Sequence, residues 1–178
     1  MRLSDVTNQA IQGLIGFRSV AKAALAIGTV TSGINTGAMT YVNNGVFLAR
    51  AALTSQSIVP TTGLSYNLPA GINPATGANY TMYVTLGLDV LGNVVVLQGT
   101  YAGQLFSTNP SVGVGVSQAG TSYIGDGSIP DVPAGVTPFG VVKIVNATNP
   151  FILGTTLLGA AGVTASFFDV AVLPVGKL

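Results

Sequence analysis

From about Ser19 onward the pattern of apolar and polar residues is that of β-strands, in which a period of two marks one face turned to a core. The clearest case sets Tyr80, Met82, Val84, Leu86 and Leu88 against Thr81, Tyr83, Thr85, Gly87 and Asp89. Leu91-Gly92-Asn93 then reads as a turn, and Val94 to Thr100 runs back with four apolar residues in succession, as a strand covered on both faces does. A second hairpin joins Ala38 to Val42 with Val46 to Arg50 across Asn43-Asn44-Gly45, because Asn-Gly supplies the positive φ angles that tight turns require. Further strands are expected at Val20 to Val30, Phe139 to Val145 and Ser166 to Leu173, where β-branched and aromatic residues gather.

The first residues follow a different period. Ser4 can cap a short helix with Asp5 in its first turn, and Val6, Ala10, Ile11, Leu14 and Ile15 then fall on one face. Gly13 and Gly16 weaken and end it, which bounds the expected helix at about 4–15. This face either covers the sheet of its own subunit or reaches a neighbouring one. Pro- and Gly-rich stretches make 54–79 and 102–137 long connections. The expected organisation is an N-terminal helix or arm over 1–18 and a β-domain over 19–178. The fold class is all-β: a compact sandwich or barrel of short antiparallel strands with a short N-terminal helix or arm.

Charge changes the picture more than any motif. The 178 residues carry six Lys+Arg and five Asp+Glu, about 6% charged, where an ordinary soluble domain carries roughly 25%. A 17.8 kDa monomer should expose on the order of 8,000 Å², so each charge would serve roughly 700 Å² of surface. Such a surface is poorly defended against association. The cations Arg2, Arg18, Lys22, Arg50, Lys143 and Lys177 are scattered and form no stripe able to displace many counterions, so no nucleic-acid partner is expected. Gly, Thr, Ser, Asn and Pro interrupt every apolar stretch before about 18 residues, so no helical membrane span is expected despite a mean hydropathy of +0.62. Val20 to Val30 comes nearest to the apolar core of a secretion leader. Lys22 splits it, and Asp5, Asn8 and Gln9 precede it, so no signal is expected.

Glu, His, Cys and Trp are all absent, which removes thiol chemistry, disulfides, Cys and His metal ligands and the usual neutral-pH general base. Zero cysteine fits a reducing interior. Asp126 and Asp131 are the only carboxylates close in sequence, and Asp before Gly or after Pro is ordinary turn chemistry. Gly115-Val116-Ser117-Gln118-Ala119 approaches a nucleophile elbow but ends in Ala, and no His exists to activate Ser117. Gly113-Val114-Gly115 lacks the third glycine of a dinucleotide loop. A Ser-Lys pair with Lys22, Lys143 or Lys177 has no local motif. Asn79-Tyr80-Thr81 and Asn146-Ala147-Thr148 match the glycosylation triplet, which chance supplies often in a chain rich in Asn and Thr. The expectation is no enzyme, no catalytic residues, no cofactor, no metal and no small-molecule substrate.

Thr40-Tyr41-Val42-Asn43-Asn44-Gly45-Val46-Phe47, Leu88-Asp89-Val90-Leu91-Gly92-Asn93-Val94, Gln98-Gly99-Thr100, and Asp131-Val132-Pro133-Ala134-Gly135 leading to Pro138-Phe139-Gly140-Val141-Val142-Lys143-Ile144 form a set of phrases. They resemble those of small structural proteins of tailed bacteriophage virions. Gly154-Thr155-Thr156-Leu157, Ala161-Gly162-Val163-Thr164 and Phe168-Asp169 extend the likeness, which spans about 20–174. The resemblance implies a capsid decoration or cement protein: β-rich, homotrimeric, seated on the capsid surface of the virion after synthesis in the host cytoplasm. Its partners would be the major capsid protein and itself. The interface is expected on Leu3, Val6, Ile11, Leu14 and Ile15 together with one long loop. The alternative is a tail or fibre module that recognises a host-surface glycan through a tyrosine-bearing loop such as Tyr66 to Tyr80.

Overall fold

In the computed structural model of the chain, the described residues are 16–29, 33–61, 67–74, 76–101, 105–107, 121–123 and 129–170. Their strands are β1 (Arg18–Ser19), β2 (Ala26–Ile27), β3 (Gly33–Asn35), β4 (Met39–Asn43), β5 (Val46–Arg50), β6 (Gln56–Ser57), β7 (Tyr80–Leu88), β8 (Val94–Gln98), β9 (Leu105–Ser107), β10 (Thr121–Tyr123), β11 (Thr137–Asn146) and β12 (Val163–Asp169). Every pairing is antiparallel, and no helix occurs among the described residues. The protein is therefore all-β. The helix read over 4–15 lies outside the described residues.

The largest sheet has the order β12-β11-β7-β8. Its inner face is built from the even positions of β7, with Met82, Val84, Leu86 and Leu88 fully buried beside Val142, Ile144 and Val96. Removing such side chains from water contributes about 1.5–3 kcal/mol each. The expected wetter face of β7 holds only at its start. Thr81 and Tyr83 are half-buried, whereas Thr85 and Gly87 are buried, so the middle of the sheet is covered on both sides. Pro138 has no N–H for the ladder, and the register slips by one residue between Pro138 and Gly140, with Phe139 buried in the bulge.

Two smaller sheets, β1-β4-β5 and β2-β3-β6, supply Tyr41, Met39 and Ile34 to the same apolar core, and the connections add Leu53, Ile58, Leu68, Phe151, Leu153 and Leu158. The hairpin of β4 and β5 turns at Asn44 and Gly45, whose φ angles of 49° and 79° are those the Asn-Gly reading requires. Two buried hydrogen bonds tie it to the large sheet. Asn43 Nδ2 donates to the Gly135 carbonyl and Thr137 Oγ1 to the Val42 carbonyl, each at 2.9 Å.

The strand expected at Val20 to Val30 is broken. Among its described residues only Ala26–Ile27 forms a strand, because Ala24 takes a φ of 50° and the chain folds back through a bond from the Gly37 N–H to the Ala23 carbonyl. The strand expected from Ser166 starts three residues earlier, and 171–173 lie outside the described residues. The long connection 54–79 is not free of structure. It carries β6, bridges Leu68 to Phe151 and Ile72 to Asn79, and is pinned by Asn146, whose fully buried Nδ2 donates to the carbonyls of Leu68, Pro69 and Asn149. The connection 102–137 contains β9 and β10, paired with each other.

Candidate assembly surface

Among the described residues, those singled out for chemistry do not converge. Asp126, Ser117, Gly113 to Val116, Tyr66, Lys177 and the interface set Leu3, Val6, Ile11, Leu14 and Ile15 lie outside the described residues. Asp131 is exposed, and Asp169 accepts the Leu25 N–H at 3.0 Å. Lys22 is exposed and Lys143 half-buried on the outer side of the large sheet. Among the described residues no group of three or more acidic, His or Cys side chains could hold a metal ion. Asn146 cannot present a glycosylation site in the folded chain, since its amide is buried against three carbonyls. Tyr80 meets Tyr101 edge to face at 5.4 Å, both half-buried, which is packing and not an open platform. Burial, and then the proximity of Tyr80, raises the Tyr101 hydroxyl above its ordinary pKa.

The polar cluster at the β7–β8 turn is structural. Asp89 Oδ1 accepts the N–H groups of Leu91 and Asn93, each at 2.8 Å, and Asp89 Oδ2 accepts Asn93 Nδ2 at 2.9 Å. Burial works to raise the Asp89 carboxyl, but these bonds, Asn93 foremost, outweigh it and hold the pKa below the usual carboxylate range. The turn they lock packs on the β4–β5 hairpin. A methyl on Gly92 would lie 3.2 Å from Tyr41 Oη and 3.9 Å from Arg50 Cδ. Burial, and then Asp89, raises the Tyr41 hydroxyl, while Arg50 opposes them.

What distinguishes the surface is its sheet edges and its apolar residues. The free edge of β8 is closed: Thr61 N–H donates to the Val96 carbonyl at 3.1 Å, and Val96 N–H donates to Thr61 Oγ1 at 2.9 Å. β12 is met at its two ends only, where the Asp169 carboxylate accepts the Leu25 N–H and Val163 N–H donates to the Ala160 carbonyl; between them Ala165 and Phe167 turn their backbone groups outward with no partner among the described residues. β5 has no such cover. It lies at the end of its sheet, and no described residue pairs its outer side. Val46, Phe47 and Ala49 are exposed and Leu48 and Arg50 half-buried, with Phe47 58% accessible. An apolar edge strand without Lys, Pro or a bulge is a ready template for another strand.

Further apolar side chains stand out from the same body. Leu91, at the tip of the β7–β8 turn, is 80% accessible. Ile27 and Val59 are also exposed, beside Gly159 and Gly154 of a loop that itself exposes Ile152 and Leu157. The edge of β5 escapes a reading of the sequence because strand order sets it. Only the run Val46 to Leu53, with one charge in eight residues, hints at it. Comparison with family models, with curated proteins and with solved structures found no match to this chain.

Proposed function

We propose that this chain is a structural protein of a tailed-bacteriophage virion, a capsid decoration or cement protein that binds neighbouring major capsid subunits and its own copies. The observation that carries this reading is an all-β body whose thinly charged surface exposes an open apolar strand edge and separate aliphatic patches. The bacteriophage assignment itself leans on the resemblance of the phrases in 20–174. We read the large sheet and the two smaller ones around a shared core as a sandwich, with an N-terminal arm over 1–18 reaching the shell and three copies forming the unit.

The physical logic is that of an obligate surface. Interfaces that are always occupied are more apolar and poorer in charge than ordinary surface. Many identical copies, each bound modestly, hold a shell together by multivalency without any catalytic group. The test is electron microscopy of shells assembled from the cognate major capsid protein with and without this chain. Regular density on the outer surface, lost on deletion of 1–17 while the β-domain stays folded, is the expected result. Shells with no such density at saturating protein reject the reading.

A further inference from the structure

We infer that two copies of this protein join through β5, pairing antiparallel about a two-fold axis at Leu48 so that two three-stranded sheets become one of six strands. This deepens the assembly reading by naming one contact between copies. The direction of the backbone groups comes first. The Val20 N–H donates to the Thr40 carbonyl, which places Thr40 toward β1 and leaves Tyr41, and with it Leu48, in the hydrogen-bonded pair between β4 and β5. Val46, Leu48 and Arg50 therefore spend their N–H and C=O groups on β4. Those of Phe47 and Ala49 point outward, and no described residue meets them.

Size and charge then select the register. With the axis at Leu48, Phe47 lies opposite Ala49 of the second copy, bulk against a methyl, and the two residues exchange both outward hydrogen bonds twice over. The single charge of the strand, Arg50, falls opposite Val46 of the second copy. The two Arg50 positions are then about 13 Å apart along the strands, beyond the screening length of roughly 8 Å at physiological salt. An axis at Ala49 brings them to about 7 Å on one face, where like charges repel. An axis at Phe47 runs the pairing into the Asn44-Gly45 turn and keeps fewer bonds. The Asp89–Asn93 turn, with exposed Leu91, sits beside Arg50 and so beside the exposed Val46 of the second copy. A two-fold contact of this kind joins neighbouring trimers as readily as single chains.

The chain has no cysteine, so one introduced thiol reports one contact. Across the axis the two Leu48 Cα atoms form a non-hydrogen-bonded pair about 4.5 Å apart, inside the range a disulfide spans. The experiment oxidises Leu48→Cys and, as control, exposed Ala51→Cys, whose copies would lie about 20 Å apart. It also measures self-association of Ala49→Lys by sedimentation. A covalent dimer of Leu48→Cys alone, and an association at least about tenfold weaker for Ala49→Lys, are expected. Should Leu48→Cys fold poorly, the Ala49→Lys measurement decides by itself, because Ala49 is exposed in the single chain. Equal cross-linking of both thiol variants, or association untouched by Ala49→Lys, overturns the contact. Association that survives Ala49→Lys while the unaltered chain still decorates shells rejects only the β5 pairing; failure of the unaltered chain to bind shells rejects the assembly reading.

Discussion

Two hairpins of this protein, β4–β5 and β7–β8, use the same local grammar and end in opposite situations. In β7–β8 the turn is locked by Asp89, the inner face is buried, and the outer edge is closed by Thr61. In β4–β5 the turn is shorter, but the second strand lies at the boundary of its sheet, and no described residue pairs its outward amides. Local sequence marks both, alternation in β7 and the Asn44-Gly45 turn between β4 and β5. What differs is whether the chain returns to cover the edge, and a soluble monomer usually manages an open edge with charge, proline or a bulge. All three are absent along Val46 to Ala49, where the proposed pairing of two copies falls.

Substitutions should separate the two hairpins by size of effect. Gly87→Ala strikes the closed one hardest, since the added methyl would meet Val136 and lie 3.1 Å from the Thr137 carbonyl. Overpacking there should cost about 2–3 kcal/mol, seen as a Tm lowered by roughly 4–12 °C in a thermal melt. Asp89→Ala removes three hydrogen bonds to a carboxylate at the rim of the same hairpin. With partial exposure discounted, the loss should be about 1–2 kcal/mol at neutral pH. Because the folded-state pKa of Asp89 is depressed, its contribution is full above the ordinary carboxylate range and fades as pH falls through the lower folded value. Denaturant titrations of wild type and Asp89→Ala should therefore converge in acid.

Thr61→Val opens the closed edge by removing the acceptor of the Val96 N–H. A loss of about 1 kcal/mol, with faster exchange of the Val96 amide, is expected from equilibrium unfolding and hydrogen exchange. Phe47→Ser on the open hairpin should leave the dilute chain within about 0.5 kcal/mol of wild type, yet weaken its association in sedimentation. A large stability loss at Phe47 would mean that the residue serves its own fold, and the contrast between the hairpins would disappear.

Much of this was legible in the chain because it is local. Asn44-Gly45 announces its turn, and the alternation from Tyr80 to Leu88 announces β7. Three features stayed hidden for physical reasons. Ala24 breaks the expected strand at 20–30 through a positive φ, and alanine carries no signal for that conformation. Asn146 reads as a chance glycosylation triplet, but its partners Leu68 and Pro69 lie almost eighty residues away. The openness of β5 depends on strand order, which alternation does not encode. The interface placed on Leu3, Val6, Ile11, Leu14 and Ile15 lies outside the described residues, so the arm and the strand edge stand as separate contacts to be tested.

Amide hydrogen exchange at Phe47, Ala49 and Val96, followed from dilute to concentrated protein, addresses the central claim most directly. Protection of Val96 at every concentration, with Phe47 and Ala49 unprotected when dilute and protected as the concentration rises, is the result this account expects. Phe47 and Ala49 exchanging freely at all concentrations would contradict it.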